Sequence, residues 1–108
     1  MTDNIQKLYE IAEVKRIYSE FNNGKETVVE NVFSPYRQLE LIKFVSNFKV
    51  YETVKHKDRK WFMCASIGCD DYYESRSESF DQTLANLILQ LWQDLTDDQK
   101  QEIKRILQ

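Results

Sequence analysis

The chain has 108 residues and a mass of 13.0 kDa, room for one compact domain. Apolar residues make up 42% and charged residues 31%, enough for a core and a wet surface, which excludes a disordered tail. No apolar run approaches the roughly 18 residues of a membrane span, Met1-Thr2-Asp3-Asn4 lacks the basic start and apolar stretch expected of a secretory leader, and a net charge of −3 does not by itself mark a nucleic-acid binder.

Residues 4–21 carry Ile5, Leu8, Tyr9, Ala12, Ile17, Tyr18 and Phe21 at spacings that predict an amphipathic helix, capped by Asp3 or Asn4 and stopped by Asn22-Asn23-Gly24. The same Asn-Asn-Gly equally supports a hairpin turn between extended segments 17–21 and 27–33, the second rich in β-branched residues. Ser34-Pro35 opens a helix over 35–46, because serine caps an early N–H and proline at the first position forfeits no hydrogen bond. Segments 48–54 and 60–67 alternate as two strands of a hairpin with a charged tip, Lys55-His56-Lys57-Asp58-Arg59. A short third strand is expected at 71–74, after a turn at Gly68.

Ser79 with Gln82 three residues later forms a capping-box pattern before Leu84, Leu87, Ile88, Leu91, Trp92 and Leu95, the most regular helical stripe in the chain. Thr96 with Gln99 repeats the pattern ahead of Ile103, Ile106 and Leu107. The order predicts an α+β domain: an antiparallel two- to three-stranded sheet covered by two helices, α-β-β-(β)-α, over 34–95. An N-terminal extension, 1–33, and a C-terminal helix, 96–108, complete the single domain, with Trp61 and Trp92 as core anchors.

Two resemblances follow from these residues. The run from Phe33-Ser34-Pro35-Tyr36 through Trp61-Phe62-Met63-Cys64-Ala65 to the serine-opened aliphatic helix resembles small phage-encoded α-β-β-α sandwich proteins. That likeness implies a mobile-element origin and action by binding or inhibiting a host protein. The same block is similar in order to a double-stranded RNA-binding domain, with Tyr51, Phe62 and Ser79 at that family's aromatic and serine positions. Where the family carries paired lysines to grip phosphate, this chain has Phe80 and Asp81, so the resemblance implies the fold rather than that hold on RNA.

Function is read mainly by elimination. The chain has no glycine-rich phosphate loop, no G-x-S-x-G elbow, no H-E-x-x-H and no EF-hand loop, so no enzyme class is indicated. His56 belongs to no recognisable nucleophile-and-carboxylate arrangement in sequence. Cys64, Cys69 and His56 fall short of a zinc ligand set, and no metal or other cofactor is expected. Two cysteines without a leader suit a reducing cytoplasm. The leading candidate surface is the acidic-aromatic stretch Asp70, Asp71, Tyr72, Tyr73, Glu74, Glu78 and Asp81, which suits a basic protein partner. The alternative is nucleic acid held by Lys55, Lys57, Arg59 and Lys60 at the hairpin tip, against the plainer reading of a solvated tip. Pairing of two copies through the last helix or a sheet edge is a third expectation.

Overall fold

The computed structural model describes residues 3–108; Met1 and Thr2, the opening of the expected 1–33 extension, lie outside the described residues. Asp3 caps helix α1 (Asn4–Ile11), its carboxylate accepting from Ile5 N at 3.0 Å and Gln6 N at 3.2 Å. The helix then stops, ten residues short of the 4–21 span that periodicity suggests. Glu13 takes φ 59, and Val14 N–H donates to Tyr9 O at 3.0 Å while Glu13 N–H donates to Glu10 O at 3.1 Å. Those two bonds are a Schellman ending, normally built on glycine because an L side chain is crowded at positive φ. Glutamate at that position left no glycine signal in the sequence.

The hairpin alternative is the one adopted. Strands β1 (Ile17–Asn22) and β2 (Lys25–Glu30) pair antiparallel across Asn23-Gly24, whose φ values of 54 and 77 give the paired left-handed residues of a type I′ turn. Ser34 and Pro35 start helix α2 (Pro35–Val45), with Ser34 Oγ accepting from Arg37 N at 3.3 Å.

Strands β3 (Val50–Lys55), β4 (Trp61–Ser66) and β5 (Tyr73–Ser77) form one antiparallel sheet with β4 in the centre. The third strand begins two residues later than the 71–74 expectation and runs to Ser77. Its inward residues are Tyr73, Ser75 and Ser77, opposite Ala65, Met63 and Trp61, so serines hide its core face from an apolar pattern. Those serines are satisfied by the next helix: Ser75 Oγ donates to Thr83 O at 2.8 Å, and Ser77 Oγ meets Thr83 Oγ1 at 2.7 Å.

Helix α3 (Phe80–Leu91) lies on β4 and β5, as its stripe requires, and a 3-10 turn (Trp92–Asp94) follows it. The expected capping box at Ser79 is not made. Ser79 Oγ donates instead to Asp81, and Gln82 turns toward α1, accepting from Asn4 N at 2.8 Å and donating to Asp3 Oδ1 at 3.1 Å. The second box is made in full at helix α4 (Asp97–Leu107), between Thr96 and Gln99 at 2.8 and 3.2 Å. Helix α1 packs along α3, and α2 packs against α4. Asn31 Nδ2 and an Arg37 guanidinium N–H reach Leu107 O and Gln108 O at 2.8 and 3.0 Å, satisfying carbonyls at the end of α4. Leu8, Tyr9, Leu41, Met63, Leu84, Leu87, Ile88 and Ile103 share one core. The architecture is α+β, with the three-stranded sheet backed by helices and a separate two-stranded ribbon.

Candidate interaction surfaces

Register decides which residues of the candidate stretch share a surface. On the sheet face away from α3, Val50, Glu52 and Val54 of β3 stand beside Ser66, Cys64 and Phe62 of β4, and Glu74 and Arg76 of β5 flank the other side. Val50, Val54, Glu52, Glu74 and Arg76 are exposed and Phe62 is half-buried, so no helix lies over this side. Phe62 is held from both ends: His56 meets it edge-on at 5.8 Å, and the Arg76 guanidinium sits 5.7 Å from its ring.

Tyr72 joins this face from the loop before β5. Hydrogen bonding to Cys64, then desolvation and the nearby charges of Cys64 and Glu74, push its pKa up to about 12. The ring remains 54% exposed, so it is an available contact rather than a core residue. Cys64 beneath it is a buried free thiol, while Cys69 is exposed and accepts from Lys49 Nζ at 2.8 Å.

The remaining members of the stretch divide. Asp70, Glu74 and Glu78 are exposed. Asp71 is half-buried and organises the β4–β5 turn, accepting from Gly68 N at 2.7 Å and Ser66 Oγ at 3.5 Å. A Cβ on Gly68 would lie only 3.0 Å from that carboxylate, so the turn is fitted closely around it. Tyr73 points to the opposite side of the sheet from Glu74 and donates to Asp94, an interaction that, with burial and the Asp94 and Asp71 charges, raises its pKa. Asp81 accepts from Ser79 Oγ and from Gln82 N at 2.7 Å, at the first turn of α3. Alternation thus places Tyr72 and Glu74 on one surface and Tyr73 on the other, while Asp71 and Asp81 are held by bonds within their own turns.

The basic residues of the β3–β4 tip are gathered as the sequence suggests. Arg59 N–H donates to His56 O at 3.0 Å, and Arg59 itself takes φ 68. Lys55, Lys57, Arg59 and Lys60 are all exposed, and Lys55 Nζ lies 5.3 Å from the Trp61 ring. On its other side Trp61 meets Phe80 edge-on at 5.0 Å.

Among the described residues, no group of three or more His, Cys, Asp or Glu side chains is placed to hold a metal ion. Two open clefts of about 290 and 300 Å³ flank Gln108, one beside Tyr36, Arg37 and Arg105, the other beside Val14, Tyr18 and Asn31. Neither contains a candidate from the acidic stretch or the basic tip. No helix among the described residues is long and apolar enough to cross a membrane.

One surface had no place among the sequence candidates. The β1–β2 ribbon exposes Ile17, Phe21 and Val28, and its register puts all three on one face. The signal was the alternation on either side of Asn-Gly, masked by the helical spacing of the same residues. The chain matches no known family, no curated protein and no solved structure.

Proposed function

We propose that the protein is a non-enzymatic interaction module that binds another protein through the uncovered face of its three-stranded sheet. The observation that carries this reading is the grouping of Val50, Val54, Phe62 and Tyr72 on a side no helix covers, bordered by Glu52 and Glu74. An aliphatic-aromatic centre with a charged border is the composition of a protein–protein contact. The border is mixed, with Glu52 and Glu74 outnumbering Arg76, and this balance favours a partner with a mainly basic rim. Two free thiols fit action in the cytoplasm, and the resemblance to small phage-encoded sandwich proteins supports a host protein as the partner, held or inhibited by contact.

The test pairs Val54→Thr with Glu74→Lys, two exposed positions that leave the core and the Asp71 turn intact. Affinity capture from the native host is expected to lose its specific partner with this variant, while the thermal midpoint moves by no more than a few degrees. Equal capture by the variant and the parent overturns the assignment of this face. The exposed tip Lys55, Lys57, Arg59 and Lys60 supports nucleic acid as a second reading. It calls for binding to duplex or single strands that weakens steeply with salt, because neutralised phosphates release counterions.

A further inference from the structure

The β1–β2 ribbon stands off the body. Neither strand has a third strand beside it, and all but Tyr18 and Val29 of its strand residues are exposed. Phe21 is 76% exposed, Val28 69% and Ile17 64%, all on one face, and the chain's radius of gyration is 15.3 Å, where a compact 100-residue domain has about 13 Å. A lone two-stranded ribbon with both faces wet is marginal in water.

The two edges of this ribbon are not alike. The β2 edge carries Lys25, Glu26 and Glu30, the kind of charged border that discourages another strand from adding. The β1 edge, Ile17-Tyr18-Ser19-Glu20-Phe21-Asn22, carries a single charge. We propose that β1 pairs with β1 of a second copy of this chain, antiparallel about a two-fold axis through Ser19, to make a four-stranded sheet in the order β2-β1-β1-β2.

Such an axis is normal to the sheet, so only residues of the same face become opposite. Centred on Ser19, it sets Ile17 against the partner's Phe21, Phe21 against the partner's Ile17, and Tyr18 against the partner's Glu20. No like charges meet, and apolar cross-strand pairs of this kind are stabilising. The equivalent pairing of β2 centred on Val28 sets Glu26 against the partner's Glu30, two carboxylates face to face. Centred on Thr27, it sets Lys25 and Glu26 against valines. The charge pattern therefore selects the β1 edge and leaves two charged β2 edges outside, which closes the assembly at two copies.

The available area suits a weak dimer. Edge-to-edge pairing leaves both faces of the sheet in water, so Ile17 and Phe21 are covered only along the seam and Val28 on β2 keeps its exposure. Stable complexes bury about 1,200–2,000 Å², so the expected dissociation constant is on the order of micromolar or weaker.

The pairing is independent of the outer sheet face, and its test is separate from that of the binding function. Sedimentation of the full chain over rising concentration is expected to carry the mass from 13.0 kDa toward twice that value. In a Cys69→Ser background, Ser19→Cys is expected to form a disulfide-linked dimer under mild oxidation, whereas Val28→Cys, at the centre of β2, does not. An Ile17→Lys/Phe21→Lys chain and an Ile17→Glu/Phe21→Glu chain are each expected to stay monomeric alone and to associate when mixed. A constant monomer mass for the parent at every concentration, or equal cross-linking at Ser19→Cys and Val28→Cys, overturns the proposal.

Discussion

The β1–β2 and β3–β4 hairpins are each built from two six-residue strands, yet water reaches them very differently. In the second, Met63 and Ala65 are buried against α3, while Cys64 and Ser66 on the opposite face are buried in the central strand, Ser66 bonded into the β4–β5 turn. In the first, no residue is buried, and the ribbon is held by its own ladder and an Asn-Gly turn. Composition differs as well: β4, Trp61-Phe62-Met63-Cys64-Ala65-Ser66, has no charged residue, whereas the first hairpin carries Glu20, Lys25, Glu26 and Glu30. The apolar β4 has a third strand and a helix to bury against, and the more charged ribbon has neither. Shape in this chain is thus decided locally, and burial by neighbours arriving from elsewhere in sequence.

The sharpest way to break that contrast is to truncate one apolar side chain in each region. Leu87→Ala in α3 removes a fully buried side chain and is expected to cost about 2–5 kcal/mol in urea unfolding. Phe21→Ala, at a monomeric concentration, is expected to change the same transition by less than about 0.5 kcal/mol, because the ring is already in water. A comparable loss at both positions would mean the ribbon is part of the cooperative core.

The junction between body and ribbon gives a smaller effect of opposite sign. Glu13→Gly relieves a side chain held at φ 59 and is expected to stabilise the protein by about 0.5–1 kcal/mol, read as a higher urea midpoint. The smallest effect concerns pH. Hydrogen bonding from Gln82, then from Gln6 N and Ile5 N, with the Arg16 charge, holds the Asp3 carboxyl below its ordinary value against a desolvation penalty. A carboxylate lowered in the folded state adds stability above its unfolded pKa and loses it as pH falls through the folded value. Asp3 is largely exposed and its contribution is screened. The parent is expected to lose slightly more stability than Asp3→Asn between pH 5 and pH 3, measured by urea midpoints.

Sequence pattern went furthest where one local signal decided one element. Ser34-Pro35 and the Thr96–Gln99 box each start the helix they announce. The central hairpin also follows its alternation, though Val50 and Val54 face outward while Tyr51 and Thr53 accompany Met63 and Ala65 inward. Pattern reading fell short where a distant partner overrode a local one. Gln82 completes the Ser79 box on paper, but the start of α1 competes for its amide and wins. The acidic stretch reads as one surface in sequence; the pleat of β5 and the turn bonds of Asp71 divide it between two sides. Serine on the inner face of β5 and glutamate at the end of α1 each gave no cue, because each does what a different residue type usually does.

The bonds from Gln82 to Asp3 and Asn4 join residues 78 and 79 apart. At about 5–20 residues per second, the ribosome needs on the order of 4–16 s to deliver Gln82 after the first helix has been made. For that interval Ile5, Leu8 and Tyr9 have no α3 to lie on, while the ribbon, whose contacts are all near in sequence, closes in microseconds once its turn is out. The nascent chain therefore presents its arm before it owns a body. Helix α1 leaves the ribosome before α3 and docks only once α3 has followed it.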